Sequence, residues 1–357
     1  MKTFLTPLSI PFKNGEVKNM NNTSWLQQWL ENIWYKQGVS AVFGKFLLLP
    51  LTGLYCAINH YQRQKQSKNH PKLSCPVIVV GNITVGGTGK TPLTIHLVKL
   101  LQQAGYKPAI ITRGYGGKAT SWPQSVTPET DPTLAGDEAV LMASRTGVPV
   151  YAGADRLLSI KKLLESNVCD VIISDDGMQH YKLPRDIQIA VIDGKRKFGN
   201  GYCLPSGPMR EPKQRLKYSD LIVVNGKFTK ESEDEKQWLS MTLTGDVLVN
   251  LQTGKGIAIQ QFSEKTIHAV TGIGNPQRFY YSLEQGGLTV ITHSFPDHHD
   301  FQPDDLVFND DLLIVMTEKD AVKCKSFAGD NCWYLPVTAT LDKDFDVKLL
   351  AKLSEKS

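Results

Sequence analysis

Apolar residues in this chain recur as short runs separated by amphipathic stretches. Val77 to Val80 form a run suited to a central strand, and Leu93, Leu97, Leu100 and Leu101 mark one face of the helix that follows. The alternation then continues. "KPAIITRGYG" predicts a strand entering a loop, "DEAVLMASRTG" a helix, "VPVYAG" a strand, "ADRLLSIKKLLES" a helix and "CDVIISDDGMQH" a strand ending in charge. "IQIAVIDG" and "DLIVVNG" predict two further strands. Strands alternating with helices predict a mostly parallel α/β sheet, in which ligands gather at the carboxyl ends of the strands.

The pattern changes after Gly226. "ESEDEK" reads as a solvated helix face, and "VLVNLQTGKGIAIQQF" as a hairpin with Gly254 and Gly256 at its turn. "IHAVTGIGNPQRFYYSLEQGG" then repeats strand, glycine turn and helix. Residues 63–240 are therefore expected to form the main α/β core, 241–264 a hairpin linker and 265–357 a smaller α/β domain. Gly272 and Gly274 fall short of a dinucleotide fingerprint because Gln277 stands where the third glycine belongs, which argues against NAD. The chain has no internal repeat or low-complexity tract.

Residues 1–62 form a third region. "VSAVFGKFLLLPLTGLYCAI", Val39 to Ile58, is apolar, preceded by Trp25, Trp29, Trp34 and Tyr35 and followed by Tyr61 and the basic "RQKQSKNHPK". A spanning helix needs about 20 apolar residues, and Lys45 and Pro50 interrupt this run. An interfacial position is expected, with the aromatic residues at headgroup level and the basic flank against anionic lipid. The alternative is a soluble core helix with a snorkelling lysine. The mostly polar residues ahead of the run do not fit a signal peptide.

Charge strengthens the membrane reading. The 357 residues carry a net charge of +5, yet no acidic residue occurs between Glu31 and Glu129. A basic flank beside an apolar, aromatic stretch points to a membrane surface rather than nucleic acid, and nothing in the chain calls for an obligate protein partner. Hydrophobic content of 41% suffices for one large core or two ordinary ones. Six cysteines without a CxxC pair argue against a disulfide framework or a zinc site and fit a reducing compartment.

Candidate chemistry gathers at the strand ends. Gly86, Gly87, Thr88, Gly89, Lys90 and Thr91 lie between the first strand and its helix. Glycines there let backbone N–H groups form a cup at the positive end of the helix dipole, while the lysine meets the outer phosphates of a nucleoside triphosphate and the threonine hydroxyl meets magnesium. The usual pattern has a glycine where Thr84 stands, and Gly86 and Gly87 are expected to supply the missing turn. Asp175 and Asp176 end a strand as magnesium-holding aspartates do. Neighbouring side chains diverge on a strand, so one of the two is expected to face the metal. Asp137 and Glu138 open a helix, where acids also complement the dipole. "LPSGPMREP" is a proline-braced loop that presents Arg210 to a phosphate, either on the nucleotide or on an acceptor. In "PDHH", His298 has no second spaced ligand cluster to make a metal site.

"GNITVGGTGKTP", "TRGYGG", "GDEAVLMA", "DDGMQH", "LPSGPMREP", "FPDHHDF" and "TEKDAVK", in this order across most of the chain, resemble the tetraacyldisaccharide 4'-kinase family of lipid A biosynthesis. The resemblance implies a P-loop NTPase-like fold with a second α/β domain and an N-terminal membrane-associated segment. It further implies an enzyme on the cytoplasmic face of the inner membrane that uses ATP and Mg2+ to phosphorylate a lipid disaccharide. It assigns the cradle to Lys90 and Thr91, activation of the acceptor hydroxyl to Asp137 paired with His298, and magnesium placement to Glu138 with Asp175 or Asp176. A sugar hydroxyl is a poor nucleophile, and a carboxylate oriented by an imidazole can take its proton as it attacks. Met178 stands where family members usually carry phenylalanine.

Two other classes share some of these features. A soluble nucleotide switch, such as a GTP-dependent metal-delivery factor, shares the cradle and the strand-end aspartates. It requires a guanine-reading pattern and metal-binding cysteines or histidines, and "NGK" at Asn225 to Lys227 lacks the following aspartate. A membrane-tethered binding module requires neither Asp137 nor His298.

Overall fold

The computed structural model describes residues 25–66, 70–230 and 232–356. The expected N-terminal region 1–62 is thus described from residue 25, and part of its basic flank, together with Glu231 of the charge run, lies outside the described residues.

Strands β1 (Val77–Gly81), β2 (Pro108–Thr112), β3 (Gln124–Val126), β4 (Val150–Ala152), β5 (Val171–Ser174), β6 (Ile187–Asp193), β7 (Leu221–Asn225) and β8 (Leu239–Thr244) belong to the first sheet. β9 (Val247–Asn250), β10 (Gly256–Ala258), β11 (Thr266–Thr271), β12 (Thr289–Ser294), β13 (Ile314–Thr317) and β14 (Cys332–Leu335) form the second, and β15 (Thr338–Leu341) returns to the first. The helices are α1 (Trp25–Tyr35), α2 (Val39–Gln66), α3 (Lys90–Gln103), α4 (Pro132–Ala135), α5 (Asp137–Thr146), α6 (Arg156–Ser166), α7 (Pro276–Gln285), α8 (Glu318–Cys324) and α9 (Lys343–Ser354).

The first sheet has the order β15-β8-β7-β6-β1-β5-β2-β4-β3, parallel from β8 through to β4 and antiparallel at both edges. Strands β1, β2, β4, β5 and β6 are buried along their whole length, as near-continuous apolar runs require. Ile78 and Val80 enter one core with α3, α5 and α9, while Val77 and Val79 enter the other with α6. The chain leaves β1 toward β5, β2 and β4 on one side and toward β6, β7 and β8 on the other. The turn after β1 therefore sits where the strand order reverses, the place where such sheets open a crevice.

The second sheet, β10-β9-β14-β13-β11-β12, is parallel over β14, β13, β11 and β12. The expected hairpin is present as antiparallel β9 and β10, but it pairs with β14 and belongs to this sheet rather than linking two bodies. The expected boundaries 241–264 and 265–357 differ from sheet membership at both ends. β8 and β15 pair with each other in the first sheet, and α9 sinks Phe345, Leu349 and Leu353 into that sheet's core. All three side chains are fully buried, and each contributes about 2 kcal/mol from removing apolar surface from water. The smaller domain is thus an insertion between β8 and β15, held at both ends by one core.

Two further expectations change. The charge run forms a short 3-10 helix, Asp234–Gln237, but it is not wholly solvated: Glu235 is buried and pairs with Lys213 at 3.1 Å. The apolar N-terminal run continues as one helix through Pro50 to Gln66. It packs on α1 where Gly44 faces Ile33 and Trp29. It is not a core helix, because Phe43, Phe46, Leu47, Leu51 and Leu54 are each more than half exposed. Residues 43, 47, 51, 54 and 58 follow the helical repeat, so they form one exposed apolar face.

Candidate active site

The glycine turn follows β1 and opens α3. Gly86 and Gly89 take positive φ values of 91° and 95°. A Cβ on Gly89 would lie 2.5 Å from the Asn225 amide nitrogen, so both the backbone conformation and the close approach require glycine there. Asn225, at the end of β7, donates to the Thr88 carbonyl at 2.9 Å and accepts from Arg278 at 2.6 Å. Both ends of its amide are committed, so it does not offer the free guanine-reading group that a switch protein needs. Arg196 donates to the Gly87 carbonyl at 2.6 Å. Thr84 occupies the position of the absent first glycine because this residue forms a bridge with Met209 and needs no unusual backbone angle.

β5 lies beside β1, so the residues after it reach the cradle. Asp176, at a φ of 48°, pairs with Lys90 at 3.4 Å and Arg210 at 3.3 Å. Burial opposes its ionisation, but the two cations prevail and draw its carboxyl down to about 2. Asp175 is fully buried. Its Oδ1 accepts from Thr94 at 3.1 Å, and its Oδ2 has no partner. Burial, with the charges of Glu138 and Asp176, pushes this carboxyl up to about 7 against the pull of Lys90. The two aspartates therefore diverge, Asp175 toward α3 and Asp176 toward the cationic pair.

Arg210 reaches Asp176 because its loop is anchored on two sides. Its backbone N–H donates to the Ile83 carbonyl at 2.7 Å, and its carbonyl accepts from Tyr55 at 3.1 Å and Asn59 at 3.3 Å, both on α2. Trp34 donates to the Pro205 carbonyl at 2.9 Å, and Thr52 donates to Ser206 at 2.8 Å. The N-terminal hairpin with the exposed apolar face thus rests on the loop that carries Arg210.

The second cluster joins the two domains. Gly136 precedes α5 at a φ of 91°, and a Cβ there would strike the Tyr115 carbonyl, so glycine lets α5 start against the "TRGYG" loop. Asp137 is 5% exposed, and its Oδ1 accepts from the Glu138 N–H at 2.8 Å. Its Oδ2 lies 3.1 Å from His298 Nδ1, contributed by the loop after β12. His298 has a φ of 61°, uncommon for a non-glycine residue, and its ring lies 4.7 Å from that of Tyr115. Burial lowers the imidazole's affinity for a proton, but Asp137 outweighs it and raises His298 above the ordinary histidine value. Asp137 is correspondingly lowered: burial works against ionisation, and His298, Lys319 and Lys323 overcome it.

Beside this pair opens a cleft of about 770 Å³, lined by Tyr115, Thr133, Asp137, His298, Phe301 and Lys323 among others. The two clusters are contiguous, since Glu138 acts on Asp175 and also pairs with Lys319 at 3.2 Å. Sequence reasoning gave no role to Lys319, Lys323, Arg196, Asn225 or Arg278. "TEKDAVK" was a signal for the two lysines, but nothing local in it points to residues some 180 positions away, from Asp137 to Lys319.

The arrangement matches known proteins across most of its length. A family model described as Tetraacyldisaccharide-1-P 4'-kinase (LpxK) matches residues 44–354. The tetraacyldisaccharide 4'-kinase of Nitrosococcus oceani is 44% identical over 325 residues, covering 90% of this chain and 93% of that protein. The Pseudoalteromonas atlantica protein of the same name is 46% identical over 310 residues, 85% of this chain and 99% of its own. The crystal structure of LpxK from Aquifex aeolicus in complex with ATP superposes with a TM-score of 0.72 at 29% identity, covering 87% of this chain and 99% of that one.

Proposed function

The chain belongs to the tetraacyldisaccharide-1-P 4'-kinase family, and from that premise we propose how its residues divide the work of the reaction. The enzyme transfers the γ-phosphoryl group of ATP to the 4'-hydroxyl of a tetraacyldisaccharide 1-phosphate, a step of lipid A biosynthesis. The turn of Gly86, Gly87, Thr88 and Gly89 cradles the phosphates with backbone N–H groups, and Lys90 places its charge on the outer ones. Arg210, opposite Lys90 on Asp176, is the second cation positioned to meet phosphate oxygens as charge develops on them.

A divalent cation fits the residues present. Asp175 has a buried oxygen without a partner, in a site where carboxylates crowd one another. Magnesium takes one or two carboxylates and fills its shell with phosphate oxygens and water. Thr91, with Glu138 and Asp175 rather than the cation-paired Asp176, would hold it, and Mg2+ when bound would neutralise charge on the phosphate oxygens.

Asp137 accepts the proton of the acceptor hydroxyl, and His298 orients that carboxylate. The observation that carries this reading is the 3.1 Å contact of His298 Nδ1 with a buried Asp137, one residue from each domain, both lining the same cleft. General-base help of this kind contributes roughly a hundred- to ten-thousandfold.

The apolar face of α2 lies on the cytoplasmic surface of the inner membrane, where the acceptor's acyl chains are held. The row Phe43, Leu47, Leu51, Leu54 and Ile58 supports this, as does the anchoring of α2 on the Arg210 loop. Turnover of labelled ATP with and without detergent-dispersed tetraacyldisaccharide 1-phosphate tests the reading: label must move to the lipid. ATP hydrolysis indifferent to the acceptor contradicts it.

A further inference from the structure

Lys319 stands at the start of α8, on the second domain, and its side chain is 16% exposed. Its ammonium lies 3.3 Å from His298 Nε2, 3.2 Å from Glu138, 3.5 Å from Asp297 and 3.9 Å from Asp137. Three carboxylates thus surround one ammonium, a group with donors only.

That fact determines the histidine. In the neutral imidazole the ring nitrogen facing Lys319 accepts, which puts the ring's single proton on Nδ1, donated to Asp137 Oδ2. Glu138 and Asp137 belong to α5 of the first domain, whereas His298, Asp297 and Lys319 belong to the second. One ammonium thus ties the catalytic carboxylate to its imidazole across the cleft. A neighbouring lysine is placed differently. Lys323 lies 2.8 Å from Asp320 and donates to the His299 carbonyl at 2.9 Å, and it is 3.9 Å from Asp137. It supports the loop and makes no contact with the His298 ring.

We propose that Lys319 is a positioning residue of the phosphoryl transfer: it holds His298 in the Nδ1–H form and keeps the Asp137–His298 pair assembled between the domains, with Asp137 directed at the acceptor hydroxyl. The inference deepens the kinase reading and rests on it for its kinetic consequence, though not for its spectroscopic one.

The test uses the full-length protein and its Lys319→Met and Lys319→Arg variants. In the wild type, ring 15N shifts of labelled histidine, with His298 assigned by its loss in His298→Gln, show one nitrogen protonated and one accepting. Lys319→Met loses that single signature, and kcat falls roughly ten- to hundredfold, as when the partner orienting a functional histidine is removed. KM for ATP changes less than kcat, because Lys319 contacts none of the cradle residues Gly86 to Thr91 and reaches the nucleotide side only through Glu138. Lys319→Arg, which keeps charge and donors, recovers most of kcat and the signature. Thermal unfolding of each variant verifies that the folded protein is compared. A folded Lys319→Met with the wild-type 15N pattern, or with unchanged kcat, overturns the proposal. A wild type without lipid phosphorylation overturns the kinase reading instead, and the nitrogen signature still decides the role of Lys319.

Discussion

Removing Asp137 separates catalysis from stability, because its environment was built redundantly. In Asp137→Ala, Lys319 keeps Glu138 at 3.2 Å and Asp297 at 3.5 Å, and Lys323 keeps Asp320 at 2.8 Å. No buried cation is orphaned. The loss of stability is therefore expected near 1–2 kcal/mol, rather than the 3–5 kcal/mol that follows when a buried pair is broken and one charge is stranded. Turnover is expected to fall far more, roughly a hundred- to ten-thousandfold, the scale of losing the general base proposed for the hydroxyl proton. His298→Ala, which leaves Asp137 unoriented, also costs turnover strongly. The double variant loses little beyond the worse single one, since residues that act as a unit are not additive. Steady-state kinetics with the lipid acceptor, chemical denaturation and calorimetric ATP binding supply the three readouts. ATP affinity stays near wild type, as neither residue is assigned to phosphates. Fully multiplicative losses refute the coupled pair, and a selective collapse of ATP affinity moves Asp137 to the metal.

Three other outcomes are expected. Lys90→Ala leaves the fold intact and lowers turnover by about a hundredfold or more, the scale of losing a charge on a transferring group, and near-normal turnover removes the cradle from the mechanism. Phe43→Asp with Leu47→Asp, on side chains 70% and 63% exposed, weakens vesicle co-sedimentation by more than tenfold, since each apolar side chain brings about 2 kcal/mol when buried; raising salt weakens the wild type only in part. In the second domain, His293 Nε2 contacts His268 Nδ1 at 3.0 Å, and burial followed by the His268 charge lowers His293 to about 4. Its folded form resists a proton that the unfolded chain accepts at about 6.5, so the penalty is absent above that pH and grows as pH falls toward 4. The full shift corresponds to about 3 kcal/mol, and partial solvent exposure brings it nearer 1–2 kcal/mol. Urea unfolding at pH 7 and pH 4.5 should find the wild type losing more stability than His293→Leu, and equal losses contradict the assignment.

The strands and the cradle were legible because their signals are local. β1, β2, β5, β6 and β7 are continuous apolar runs, and the glycines before Lys90 announce their own backbone geometry. The return of β15 and α9 was not legible. "TATL" and the helix after it carry no mark of which sheet they join, and membership is decided by pairing with β8 some 100 residues earlier. α2 was under-read for a different reason: Pro50 normally argues for a break, yet the helix continues through it. In the site, Asp137 and His298 were recognisable only through a resemblance to a family. Lys319 escaped because its partners come from α5 and from the loop after β12, and no spacing rule links such positions. The divergence of Asp175 and Asp176 was expected from adjacency on a strand, but the roles of Lys90, Thr94 and Arg210 in producing it needed coordinates.

The central claim is that an ATP cradle and a base directed at a sugar hydroxyl act together in one phosphoryl transfer. It is tested most directly by incubating the purified full-length chain with ATP, Mg2+ and tetraacyldisaccharide 1-phosphate in detergent and examining the lipid product by 31P NMR. The account predicts a second phosphomonoester, at the 4'-position, formed by the wild type and reduced to near background in Asp137→Ala. An unchanged lipid, or a new phosphate formed equally well by Asp137→Ala, contradicts it.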